Sequence, residues 1–167
     1  VKINNKICSN KDDNMNTIDI SYDNISYSKL APKKMVKDYL NKVLEKIGLS
    51  NVEFSVSFVE EEHIHNLNKE YRNIDDSTDI LSFAAEDEVD CAFISAGRHK
   101  RILGDMVICP PVMARNANTF NVSEADELHR LLIHGVLHLS GQNHITNEVS
   151  QEPMLQMQEK LLLELGY

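Results

Sequence analysis

Three histidines within residues 134–144 restrict the local structure of this chain more than any other part of the sequence. On an α-helix, residues four apart lie about 40° from each other around the axis, so His134 and His138 can face one point. Gly141 predicts the end of that helix, because glycine enters left-handed conformations without a steric penalty from a Cβ atom. The chain can then turn back and bring His144 to the same point. Three imidazoles with a fourth position open are typical of a catalytic zinc site.

The spacing of these residues matches that of the metzincin peptidases, His-Glu-x-x-His-x-x-Gly-x-x-His, at each histidine and at the glycine. One position differs, because Gly135 stands where those peptidases carry the glutamate that accepts a proton from the zinc-bound water. The pattern therefore predicts metal-assisted hydrolysis without the usual peptidase chemistry. One zinc ion is the expected cofactor, and another divalent transition metal is an alternative, since histidine also suits nickel, copper and iron.

Length and composition favour one cytoplasmic domain. A chain of 167 residues can bury its own core. It shows no apolar run long enough for a membrane span and no signal-peptide pattern, so we expect no membrane association. The three cysteines, Cys8, Cys91 and Cys109, are far apart and odd in number, which favours reduced thiols over disulfides. The sequence leaves the oligomeric state open.

The net charge restricts how the chain can bind nucleic acid. A formal charge of −9 argues against binding by overall positive charge, so any contact with RNA needs a local basic patch. Each basic group alone is more often a solvated surface. The candidate groups are Lys33, Lys34 and Lys37; Arg98, Lys100 and Arg101; and Arg115 and Arg130.

Hydrophobic periodicity predicts the secondary structure. Residues 1–14 are polar and predict a disordered extension. We expect residues 15–167 to form a single domain. Met15 suggests that the natural chain could start there. Alternating patterns predict strands over residues 17–22, 52–58, 79–84 and 103–109. Apolar stripes predict helices over residues 32–48, 60–71, 112–118, 123–140 and 154–166. Residues 85–101 have no clear period and predict a long loop or an irregular strand pair.

Strands mixed with helices predict an α+β fold, or a related α/β fold, with a small mixed sheet and packed helices. The connection between residues 59 and 79 is long enough for a parallel crossover. In the helix that carries the first two ligands, apolar residues predict deep burial, which would hold the ligands rigidly. These residues are Leu128, Leu131, Leu132, Val136 and Leu139. We expect His63 and His65 at the surface, because helical residues two apart face different directions.

Three motifs in order resemble those of the YbeY family of endoribonucleases. The first is the histidine segment, residues 134–144. The second lies upstream and comprises residues 67–68, 71–72 and 78–83. The third is Leu-Gly-Asp at residues 103–105. The resemblance runs from about residue 17 to the end of the chain. It implies a small mixed sheet similar to a reduced metzincin core, and a metal, usually zinc, held by His134, His138 and His144. It also implies that Arg72 is functionally important near this metal.

The resemblance further implies an activity and its partners. These are the cleavage of single-stranded RNA, in ribosomal RNA 3′-end maturation and ribosome quality control, and association with the small ribosomal subunit. The family commonly has Tyr-Asp before the third histidine, where this chain has Gln142-Asn143. If that carboxylate orients a ligand, its loss predicts weaker metal binding.

The expected mechanism uses water whose pKa the metal lowers towards 7, with Arg72 binding the phosphate oxygens. A surface salt bridge to Asp75 or Asp76 is the alternative for Arg72. Asp79 and Asp105 either orient ligands or Arg72, or cap turns. Two other functions stay open: a zinc peptidase-like hydrolase with its base elsewhere, and a non-catalytic, ribosome-associated metal-binding protein.

Overall fold

The computed structural model describes residues 15–85 and 100–166. The extension expected over residues 1–14, most of the loop expected over residues 85–101, and Cys8 and Cys91 lie outside these ranges. The elements are β1 (Thr17–Tyr22), α1 (Tyr27–Leu30), α2 (Lys33–Lys46), β2 (Val52–Phe58), α3 (Glu61–Arg72), β3 (Ile80–Ala84), β4 (Arg101–Ile108), α4 (Pro110–Phe120), α5 (Glu124–Leu139) and α6 (Pro153–Leu165).

The four strands form one mixed sheet in the order β1-β2-β4-β3. β1, β2 and β4 are parallel, and β3 pairs antiparallel with β4 at the edge. This confirms the expected α+β fold with a small mixed sheet. The connection between residues 59 and 79 is not the parallel crossover that its length allows, because β3 runs antiparallel to β2 and β4 lies between them. The chain instead returns parallel to β2 only in β4, after passing through α3 and β3.

The helix boundaries differ from the prediction mainly at prolines and in short segments. α4 begins at Pro110, two residues before the predicted start. Proline suits the first helical turn because N–H groups there have no acceptor within the helix, so the lack of an N–H costs nothing. The four-residue helix α1 was not predicted, since one turn is too short to show a periodic pattern. Within the described ranges, no helix is both long and apolar enough to cross a bilayer.

Helix α5 packs at the centre of the fold, in contact with β3, β4, α2, α4 and α6. Its five predicted core residues are all buried, and they join the inward-facing side chains of β1, β2 and β4 in the main core. A smaller apolar cluster that includes Ile64, Leu81 and Val107 packs α3 against the sheet. The helix that presents His134 and His138 is therefore held from several sides.

Candidate metal centre

The structure brings the three predicted histidines together. One nitrogen from each of His134, His138 and His144 lies within 4.8 Å of the others. The Nε2 atoms of His134 and His138 are 3.1 Å apart. A tetrahedral zinc ion with Zn–N bonds of about 2.0 Å would separate two ligand nitrogens by about 3.3 Å, so this spacing fits. The donor set is three imidazoles, which leaves one tetrahedral position for water or substrate.

The end of α5 is what allows His144 to reach the other two. Gly141 has φ +94°, and a Cβ atom there would meet nothing within 4 Å, so its backbone conformation alone requires glycine. The Gly141 N–H donates to the His138 carbonyl oxygen, and the Gln142 N–H donates to that of Leu137, both at 3.0 Å. These two bonds define a Schellman motif, which ends the helix and redirects the chain. The turn predicted from Gly141 is confirmed.

Each histidine uses its second ring nitrogen to hold its orientation. All three Nδ1 atoms face oxygen acceptors that carry no charge. The bonds run from His134 to Gln158 Oε1 (2.9 Å), from His138 to Asn143 Oδ1 (3.2 Å) and from His144 to the Thr146 carbonyl oxygen (2.8 Å). With the Nδ1 proton donated in this way, the Nε2 lone pair of each ring is left for a metal.

The loop beyond His144 is fixed by Glu152, at the start of α6. One carboxylate oxygen of Glu152 accepts from the backbone N–H groups of Ile145 (3.0 Å) and Thr146 (2.7 Å) and from the Thr146 hydroxyl (3.0 Å). Backbone and side-chain hydrogen bonds from Thr146, with that from Ile145, hold the pKa of Glu152 below its usual value. Glu152 therefore positions the carbonyl group that orients His144.

Asn143 stands where the family commonly has an aspartate before the third histidine, and the structure shows what its side chain contacts. Its amide oxygen accepts the hydrogen bond from His138 where a carboxylate would otherwise do so. We expect Asn143→Leu to weaken zinc binding about tenfold, because the ring of His138 loses its acceptor, and Asn143→Asp to strengthen it. Competition with a chromogenic chelator measures both affinities. Asn66→Leu, at an exposed position on α3, is the control, and equal affinities in all variants would contradict this role.

Burial disfavours the protonated forms of His134 and His138. Desolvation lowers the pKa of His134 to about 4. The hydrogen bond that His134 donates to Gln158 opposes this shift, and the charges of His138 and Arg130 add to it. Burial is also the main cause that lowers the pKa of His138, and the charge of Arg72 adds to it. Neutral imidazoles near pH 7 are the form that binds a metal.

The depressed pKa of His134 predicts acid sensitivity of the metal-free protein. Between pH 6.5 and pH 4 the unfolded chain binds a proton at residue 134 and the folded chain does not, so stability falls as the pH falls. We expect wild type to lose about 2 kcal/mol more than His134→Gln between pH 7 and pH 4, allowing for partial exposure. Urea unfolding in chelator measures this difference. Equal losses in the two proteins would refute it.

The glycine between the first two ligands faces the sheet. A Cβ atom on Gly135 would lie 2.3 Å from Met106 Cε and 2.7 Å from its Sδ. Met106 is fully buried in β4, so a larger residue at position 135 would have to move the Met106 side chain within the core. Position 135 therefore holds α5 close to the sheet and cannot present a glutamate to the metal without rearrangement.

An open cleft of about 1240 Å³ leads to the histidines. Arg72, exposed at the end of α3, lines this cleft. Within the described residues it forms no ion pair with Asp75 or Asp76, and Asp75 instead contacts His65 (2.9 Å) and Lys69 (2.8 Å). The salt-bridge alternative for Arg72 is therefore not found, and its role in catalysis stays a prediction.

The two aspartates of the sequence motifs occupy different environments. Asp79 lines the cleft, where it accepts from Asn116 Nδ2 (3.0 Å) and lies 3.6 Å from Arg130 Nη2. Asp105 is exposed on β4 and accepts from the Ser55 hydroxyl (2.5 Å), so it does not orient the histidines. Asp79 thus faces an arginine of the cleft, although the partner is Arg130 and not Arg72.

The other candidate histidines lie outside the centre. His63 contacts Asp23 (2.7 Å) and His65 contacts Asp75, as expected for surface residues. Cys109 is buried and free, and burial raises the pKa of its thiol.

Comparison with known proteins identifies similar sequences and a similar structure. A family model described as Endoribonuclease YbeY matches residues 17–166. Proteins named Endoribonuclease YbeY from Treponema denticola (40% identical over 149 residues, 89% of this chain and 93% of that one) and Shouchella clausii (42% over 137 residues, 80% and 85%) are similar to it. The solution structure of TM1509 from Thermotoga maritima has a TM-score of 0.59 and 29% identity, covering 89% of each chain.

Proposed function

Since the chain belongs to the Endoribonuclease YbeY family, we propose that it cleaves single-stranded RNA with one zinc ion held by His134, His138 and His144. The observation that carries the proposal is the convergence of three imidazoles at the end of an open cleft. The family name supports RNA as the substrate. The donor set supports a divalent transition metal, and zinc is the one that most commonly takes three histidines with an open position.

In this proposal, separate residues orient the metal ligands and bind the phosphate. A bound zinc ion would lower the pKa of a water molecule, so that hydroxide is available as the nucleophile near pH 7. The hydrogen bonds to Gln158, Asn143 and Thr146 aim the three ligand nitrogens at one point. Arg72, which is always charged, donates to the phosphate oxygens as negative charge develops on them.

We place this activity in ribosomal RNA 3′-end maturation and ribosome quality control in the cytoplasm, with the small ribosomal subunit as partner. Family membership supports this role. With a formal charge of −9, binding to RNA depends on the arginines of the cleft and not on overall attraction. The proposal therefore predicts that a single-stranded segment of the RNA enters the cleft.

The test compares three substrates for the purified, zinc-loaded protein: a labelled single-stranded RNA, the same sequence in a duplex, and casein. We expect cleavage of the single strand only, its loss in chelator and its recovery on addition of zinc. Digestion of casein that chelator abolishes would favour a peptidase. Failure of the metal-loaded protein to cut any RNA would favour the non-catalytic alternative.

A further inference from the structure

A second arginine lines the cleft on the helix that carries the first two ligands. Arg130, His134 and His138 are spaced four residues apart on α5, and all three line the same cleft. Residues with this spacing have Cβ atoms about 5–6 Å apart on one face of a helix. Arg72, at the end of α3, lines this cleft as well.

Arg130 is held in place by a buried carboxylate. Its Nε donates to Glu127 Oε2 (2.8 Å) and its Nη2 donates to Glu127 Oε1 (2.6 Å), an arrangement that fixes the plane of the guanidinium group. Glu127 is only 2% exposed, while the side chain of Arg130 is 30% exposed. A ligand in the cleft therefore meets the guanidinium group before it meets the carboxylate.

The guanidinium group keeps donors for a ligand. It carries five N–H donors, and two of them bond Glu127. Asp79, at 3.6 Å, is a second carboxylate beside the group, but it already accepts from Asn116. Among the described residues, Nη1 of Arg130 has no hydrogen-bond acceptor. A preorganised planar cation with free donors is suited to phosphate oxygens.

The alternative role for Arg130 is only to neutralise the buried Glu127. A second arginine–glutamate pair in the chain serves as a comparison for this alternative. Arg115 on α4 also makes two hydrogen bonds to a glutamate, Glu61 on α3, but from Nη1 (2.9 Å) and Nη2 (2.5 Å) and at an exposed position. That pair does not line the cleft, whereas Glu127 and Arg130 both do. Variants of the two pairs therefore distinguish the effect on RNA binding of losing an arginine–glutamate pair from the effect of losing an arginine in the cleft.

We infer that Arg130 is a second phosphate-binding residue, which contacts the RNA backbone beside the phosphate at the metal centre, and that Glu127 positions it. The inference rests on the proposed function and adds to it a second point of attachment for the strand. A strand bound by Arg72 and Arg130 would lie in the cleft that the three histidines also line.

The experiment measures binding of a labelled single-stranded RNA oligonucleotide to the full chain by fluorescence anisotropy, in chelator so that no cleavage occurs, at several salt concentrations. The variants are Arg130→Gln, the double variant Glu127→Gln with Arg130→Gln, and the control Arg115→Gln. The double variant leaves no buried carboxylate unpaired, so it separates lost binding from lost folding. The kcat and KM of the zinc-loaded proteins are measured beside it.

We expect both Arg130 variants to bind RNA about tenfold more weakly. The slope of log affinity against log salt should fall by about 0.7, the value for one phosphate contact on a single strand, and KM should rise. Arg115→Gln should match wild type. Wild-type affinity and slope in the double variant would overturn the inference and leave the proposed function standing. A wild-type protein that neither binds nor cleaves the RNA would overturn both.

Discussion

Replacing His138 by alanine should abolish RNA cleavage, with a loss of at least about 10³-fold, since a metal contributes several kcal/mol to transition-state stabilisation and each 1.36 kcal/mol is about tenfold in rate. The zinc affinity should fall about 10²-fold or more, because one of three protein ligands is removed. His138 is the central ligand in the sequence, four residues from His134 and six before His144. Zinc content and the rate of cleavage are measured on the same preparation.

His65→Ala is the matched control for this variant. It also replaces a histidine on a helix, but its ring contacts Asp75 at the surface and lies outside the metal cluster. Its zinc content and cleavage rate should equal those of wild type. Because a contaminating ribonuclease would be present in every preparation, cleavage by His138→Ala at the wild-type rate would show that the activity does not belong to this site.

Replacing Arg72 by alanine should lower the rate of RNA cleavage about 10²- to 10³-fold while zinc binding stays at the wild-type level. The expected size is that of removing one donor to the developing negative charge of a transition state. Zinc binding should not fall, because Arg72 acts on the pKa of His138 only through its charge, which disfavours the protonated ring. Rates and chelator-competition affinities distinguish the two effects.

Arg72→Lys and Arg115→Ala complete this comparison. Lysine keeps the charge but loses the planar fork, so we expect Arg72→Lys to fall between wild type and Arg72→Ala. Arg115 pairs with Glu61 outside the cleft, and its replacement should leave the rate unchanged. An unchanged rate in Arg72→Ala would remove this residue from the mechanism, and a loss of zinc binding would make its role structural.

The ligands and their carrier helix could be predicted from sequence because both follow from local rules. The spacing of His134 and His138 follows from the helical repeat, and Gly141 specifies the turn that follows. Both signals are contained within residues 134–144, so neither depends on the rest of the fold. The start predicted at residue 123 for the ligand helix is also local, because the Ser123 hydroxyl accepts from the Asp126 N–H at 3.0 Å and caps α5.

The supporting residues could not be predicted in the same way, because they come from other elements. Gln158, on α6, accepts from His134 across 24 positions of sequence, and no local pattern links the two. The parallel arrangement of β2 and β4, with β3 at the edge, also depends on pairing between distant segments. The pair of Glu127 and Arg130 is different, since its spacing on the ligand helix is visible in the sequence, and only its place in the cleft required the structure.

The most direct test of the metal centre titrates zinc into the metal-free wild type while metal binding and single-stranded RNA cleavage are followed together. We expect the rate of cleavage to rise with bound zinc and to reach its maximum at about one equivalent per chain, the number that one set of three histidine ligands can hold. A rate that is already maximal without metal, or that stays at zero when the site is full, would contradict it.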